Sequence, residues 1–126
     1  MKLVITASLK STEYKPLSKV ITLEILKKAA KKCLGGLGDS IKNTKKIPGT
    51  LLKKMYVTTP GGAARVVFLL HIDNKNSVLV MMRLKNDKQI GANMTVENPK
   101  FRKILEKNLD AILQDLKLGK YEVFEV

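Results

Sequence analysis

Residues 51–88 read LLKKMYVTTPGGAARVVFLLHIDNKNSVLVMMRLKNDK, three apolar, β-branched runs with two short breaks between them. The runs are Leu51–Thr58, Ala64–Ile72 and Ser77–Leu84. They are joined by Thr59-Pro60-Gly61-Gly62-Ala63 and by Asp73-Asn74-Lys75-Asn76. Joins this short and this rich in turn formers predict an antiparallel meander. Strict alternation puts Val66, Phe68, Leu70 and Ile72 on one face, with Val78, Val80, Met82 and Leu84 beside them. That wholly apolar face is expected to meet the helices. The other face carries Arg65, Val67, Leu69 and His71 next to Leu79, Met81, Arg83 and Lys85, apolar in its middle and cationic at its ends. Lys53 and Lys54 point to opposite faces, so one of them joins this second face, which is expected to cradle a phosphate backbone.

Upstream, Met1 to Leu9 reads as a first strand, followed by a polar connection containing Pro16. From Leu17 to Leu34 the apolar positions Leu23, Leu26, Ala30, Cys33 and Leu34 recur at helical steps, with Lys27, Lys28, Lys31 and Lys32 opposite them. Cys33 is expected to be a small buried residue of that helix. Gly35, Gly36 and Gly38 stop the helix, and Asp39–Thr50 reads as a basic loop carrying Lys42, Lys45 and Lys46. Downstream of the meander, a polar segment leads to Asn98 and Pro99, a good N-cap and first helical residue. Phe101, Ile104, Leu105, Leu109, Ile112, Leu113 and Leu116 then form one apolar stripe. Gly119 ends this helix, and Tyr121–Val126 is a further strand candidate. The expected fold is α+β, one domain over residues 1–126, with an antiparallel sheet of four or five strands and two main helices.

The charge distribution narrows the partners. The chain of 126 residues carries a formal net charge of +13. Residues 1–58 hold thirteen lysines and three acids, whereas residues 93–126 hold six bases and six acids. A field concentrated in this way attracts polyanions, of which nucleic acid is the commonest. A hydrophobic content of 44% argues against disorder. No apolar run approaches the roughly 20 residues that span a bilayer, and no signal-peptide pattern opens the chain. One cysteine and one histidine make a structural zinc site implausible and point to a reducing, cytoplasmic setting without a metal or other cofactor.

The stretch 51–88 resembles the RelE/ParE toxin superfamily, and within it the HigB- and YafQ-like members. The features that carry the likeness are the basic strand with Lys53 and Lys54, the Gly61-Gly62 turn, Arg65 opening an apolar strand, and a β-run ending in Arg83 and Lys85. Residues 1–50 match only in layout, and the neutral helix and strand of residues 93–126 are longer than that family's usual tail. The resemblance implies a microbial RNase-like fold and the toxin of a type II toxin–antitoxin pair, a metal-independent mRNA endoribonuclease acting on the ribosome. A cognate acidic antitoxin would then cover the basic face. It implies catalytic roles for Arg65, Lys53, Lys54 and Arg83 or Lys85, with His71 as a further acid or base, and Tyr121 as the one obvious proton donor near the C-terminus.

Those residue types suit the chemistry. The RNA 2′-OH attacks the adjacent phosphorus, so the protein has to align it, move two protons and stabilise charge. Arg65 offers a planar fork to phosphate oxygens, and a lysine crowded by cations can serve as a base. Lys42, Lys45, Lys46, Lys28 and Lys32 are the candidates for RNA-backbone contact. The alternative from the same residues is a non-catalytic nucleic-acid-binding or gyrase-inhibiting protein. In either case Arg65 could instead cap a strand end or meet an acid such as Asp73 or Asp87.

Overall fold

The computed structural model describes residues 1–43, 45 and 47–126. It is an α+β fold built on one six-stranded sheet: β1 (Lys2–Thr6), β2 (Asp39–Ile41), β3 (Thr50–Thr59), β4 (Gly62–His71), β5 (Asn76–Leu84) and β6 (Tyr121–Glu125). Three helical segments accompany it. Residues 7–17 form α1, which is α-helical over Ala7–Leu9, π-helical over Lys10–Tyr14 and α-helical again over Lys15–Leu17. Leu23–Leu34 forms α2 and Pro99–Lys117 forms α3.

The meander is present at the predicted positions. β3, β4 and β5 pair antiparallel, with Thr59 opposite Gly62 at one hairpin and His71 opposite Asn76 at the other. Gly62, at φ 110°, takes the left-handed backbone that this tight turn requires. The sheet is larger than expected and it is mixed, in the order β2-β3-β4-β5-β1-β6. β1 inserts between β5 and β6, parallel to β5 and antiparallel to β6. Hairpin joins could not reveal this parallel pair, because it comes from a long-range crossover through α1 and α2.

Both faces of the sheet are covered, which corrects the expectation of an open cationic face. On one side Leu26, Ala29, Ala30 and Cys33 of α2 pack on Leu3, Ile5, Val66, Phe68, Leu70 and Met82. On the other, Phe101, Leu105, Leu109 and Ile112 of α3 pack on Val4, Leu52, Val67, Leu69 and Met81. β4 is therefore buried on both faces. This accounts for its continuous apolar run, since alternation is only needed where one face meets water. Burial of each such side chain is worth about 1.5–3 kcal/mol, and this is the main force holding the layers together.

The strict alternation also fails in β5. Val67 lies opposite Met81 but Phe68 opposite Leu79, so β5 carries one extra residue at that step. The bulge resets the pleat. Leu79 and Met82 face α2, while Val78 and Val80 face α3 instead of sharing a face with Met82. Ile72, expected in the core, lies beyond β4 and is 49% exposed.

The N-terminal third differs from its sequence reading. The first strand ends at Thr6, and residues 7–17 coil into α1 rather than forming a polar connection. The expected helix from Leu17 to Leu34 breaks over residues 18–21 and restarts at Leu23, where the Thr22 hydroxyl accepts from the Ile25 amide at 3.3 Å. The stretch read as a basic loop contains the short strand β2. The α3 cap is as expected, with the Asn98 side chain accepting from the Lys100 amide. Leu113 and Leu116 are exposed although they belong to its apolar stripe.

Candidate nucleic-acid interface

Three side chains form a row across one end of the sheet, on the side that α3 covers farther down. Tyr56 of β3 is paired with Arg65 of β4, and Arg65 is paired with Arg83 of β5. Lys54, two residues before Tyr56, shares that side. Of Lys53 and Lys54 it is therefore Lys54 that joins Arg65.

β3 exposes part of one flank. The Ile72 amide donates to Gly49 O, which sets the phase of the β3–β4 ladder. By alternation the main-chain groups of residues 51, 53, 55, 57 and 59 face β4, and those of 50, 52, 54, 56 and 58 face outward. β2 covers only Leu52–Lys54. The main-chain groups of Tyr56 and Thr58 thus look out from a flank with no strand partner among the described residues.

Tyr56 is 53% exposed at that edge of the sheet. The Arg65 guanidinium lies 4.8 Å from the ring centroid and Lys54 Nζ lies 5.6 Å away. Each contact is worth about 0.5–1 kcal/mol at an exposed site. Lys54 Nζ also donates to Met94 O at 3.0 Å, which fixes where its charge sits. On the α2 side of β3, across the strand from the Tyr56 ring, Lys28 and Lys32 of α2 project from successive turns over a groove of about 380 Å³ that Met55, Tyr56, Val57 and Thr58 also line. Neither lysine has an acidic partner within ion-pair distance among the described residues. Lys42, which is exposed, lines a second groove together with Lys54 and Met94.

The remaining candidates lie elsewhere. Lys53 points to the α2 side, where its Nζ donates to Gly36 O at 3.1 Å and favours the C-terminal end of α2. Its charge also bears on Cys33. Burial raises that thiol's pKa, and the nearby Lys53 charge opposes the rise. Lys45 is held in an ion pair with Asp110, and Lys46 lies outside the described residues. Lys85 is exposed just past β5, beside the Gly61-Gly62 turn. His71 ends β4 six residues from Arg65, about 20 Å along the strand. Its Nδ1 is buried without a hydrogen-bond partner among the described residues.

Arg83, although next to Arg65, is committed to the interior. It is ion-paired with Glu13 of α1, whose side chain is only 3% exposed. Glu13 also accepts from the Met82 amide at 3.0 Å and from Asn108 Nδ2 at 3.3 Å, and Asn108 donates to Val80 O at 2.8 Å. The reason is topological. β1 pairs with β5 only through Asn76–Val78, so farther along β5 would present bare main-chain groups to the interior. Glu13 and Asn108 supply the missing partners, as buried polar groups require.

Of the seven residues that the resemblance ties to catalysis, the structure brings Lys54 and Arg65 together around a tyrosine and puts Tyr121 at the start of β6. It ties Arg83 to Glu13 next door, and sets Lys53, Lys85 and His71 apart. Two residues that matter here went unassigned in the sequence reading. Tyr56 was detectable from its two-residue spacing to Lys54. Glu13 had no signal, being one acid in a segment read as a polar connection. Among the described residues no cluster of three His, Cys, Asp or Glu side chains could hold a metal ion, and no helix is long and apolar enough to cross a membrane. No protein-family model, curated protein or solved structure matches the chain.

Proposed function

We propose that this protein binds single-stranded RNA along the free flank of β3. The observation that carries the proposal is the exposed Tyr56 with Arg65 and Lys54 close to its ring, and with Lys28 and Lys32 on the other face of the same edge strand. An exposed ring offers a stacking platform to an unpaired base, while the surrounding cations take the phosphates. Duplex bases are stacked on one another and could not reach it. An acidic partner protein, such as an antitoxin, would be drawn to the same surface by the same field. The endoribonuclease form of the proposal adds attack by the RNA 2′-OH, with Arg65 stabilising charge at the phosphorus.

Fluorescence anisotropy with a labelled oligouridine, titrated over a range of salt, tests the binding. Affinity should fall steeply as salt rises, and Tyr56→Ala should weaken it about tenfold, as loss of one stacked base does. The Lys28→Ala, Lys32→Ala double variant should lower the slope of log K against log salt by about 2. Binding that ignores Tyr56→Ala and Arg65→Ala together would sink the proposal. Mapping RNA ends after expression separates the two forms. Cuts that vanish with Arg65→Ala indicate the endoribonuclease, and intact RNA indicates a binding protein.

A further inference from the structure

β1 and β5 are adjacent parallel strands, and the connections that follow them lead to different helices. After Thr6 the chain passes through α1, whose Leu9 packs with α3, and crosses to α2 on the other face of the sheet. After Leu84 it runs to α3. A crevice opens outside the strand ends where connections diverge in this way, and in open α/β sheets that is where ligands bind. Here it measures about 470 Å³, within the range of small-molecule sites.

Its lining is divided by chemistry. Leu9, Ile104 and Ala111 supply an apolar wall, and Arg83, Lys107 and Gln89 supply polar groups. The Arg83 side chain is 15% exposed. Its Nη1 is engaged by Glu13 and by Met82 O, while Nε and Nη2 make no hydrogen bond among the described residues. Those two nitrogens form the side-on edge of a guanidinium, a fork that fits one carboxylate in bidentate fashion. Glu13 already balances the Arg83 charge. Lys107, which is exposed and has no ion-pair partner among the described residues, leaves the crevice with one uncompensated positive charge.

We infer that this crevice is a binding site for a small monocarboxylate with an apolar body, its carboxylate on Arg83 and Lys107 and its body against Leu9, Ile104 and Ala111. The site lies beyond Arg83, at the far end of the Tyr56–Arg65–Arg83 row from Tyr56, and does not depend on RNA binding.

The test is ¹⁹F NMR of 4-fluorobenzoate titrated with the full chain, with 4-fluorobenzamide and inorganic phosphate as parallel probes. Saturable binding of the benzoate is expected, with the neutral amide at least about tenfold weaker because it lacks the charge that the fork selects. Ala111→Trp should abolish binding by filling the crevice from its half-buried rim. Lys107→Glu, at an exposed position, should abolish it without touching the fold, and so provides the test even if the tryptophan variant is unstable. The inference is overturned if the benzoate shows no saturable binding to millimolar concentration, or if Lys107→Glu leaves its binding unchanged. It is overturned equally if the amide binds as well as the acid, or if phosphate binds more tightly than the benzoate.

Discussion

Arg65 and Arg83 are opposite one another on neighbouring strands, yet they belong to regions governed by different physics. Arg65 faces the unpaired flank of β3, where its company is an exposed tyrosine and its charge remains available to solvent or ligand. Arg83 faces the junction of β5 with β1, where a buried glutamate and a buried asparagine complete the main-chain bonding of β5. Both side chains are half-buried, but one has no acidic partner among the described residues and the other is neutralised by a buried glutamate. What separates them is whether a strand end is left to water or covered by a helix. An uncovered strand end can leave its cations free, but a covered one must neutralise every polar group it encloses.

The contrast is most directly broken at Glu13. Glu13→Ala leaves Arg83 without its counter-charge and the Met82 amide without an acceptor, and should cost about 3–5 kcal/mol in urea denaturation. Replacing both charges, as in Glu13→Leu with Arg83→Met, should recover much of that loss, because the apolar pair needs no desolvation of ions. A single-variant loss below about 1 kcal/mol would show that the junction is as solvent-like as the β3 flank.

Asn108→Ala comes next in size. It strips one partner from Val80 O and one from Glu13 inside a buried site, and a loss of about 1–3 kcal/mol is expected in the same assay. If the loss is negligible, water replaces the asparagine and the junction is wetter than its packing implies.

Asp115 sharpens the comparison through pH. Burial alone would raise its pKa, but bonds from the Ser8 amide at 2.7 Å and the Ser8 hydroxyl at 3.1 Å hold it below the ordinary value of 3.8. A carboxyl with a lowered native pKa binds its proton more weakly when folded than when unfolded. Its contribution is therefore complete above the ordinary carboxylate range and is lost as pH falls through the lowered native pKa. Asp115→Asn should flatten the acid limb of stability below about pH 4, and cost about 1 kcal/mol at neutral pH. An unchanged acid limb would remove Asp115 from the bonds that tie α1 to α3.

The smallest expected effect on stability is at Arg65. Arg65→Ala should shift the unfolding midpoint by no more than about 1 kcal/mol, since only an exposed cation–aromatic contact is lost. A penalty approaching that of Glu13→Ala would mean that Arg65, like Arg83, is an interior residue, and the flank would no longer be a free surface.

The meander was legible from residues 51–88, because turn chemistry at Pro60-Gly61-Gly62 and Asp73–Asn76 is local and the apolar runs leave little choice. The α3 cap at Asn98-Pro99 was legible for the same reason. The faces of β5 were not, because a one-residue bulge near Val80 leaves no mark in composition while exchanging the sides on which residues lie. In the candidate interface alternation required only that one of Lys53 and Lys54 join Arg65, and the register of the β3–β4 ladder decided that it is Lys54. The commitment of Arg83 could not, since its partner lies 70 positions away in a segment with no apolar periodicity.

The sequence by itself determined the three central strands, the two longer helices and a strong positive field concentrated in the first half of the chain. These depend on neighbours within a few residues, or on a sum over all of them. Only the tertiary structure decided that β1 enters the sheet beside β5, that both faces are covered, and which of the two paired arginines is neutralised by a buried acid. Those outcomes depend on which main-chain groups are left unpaired once distant segments have packed, and a residue's own neighbours in sequence carry no record of that.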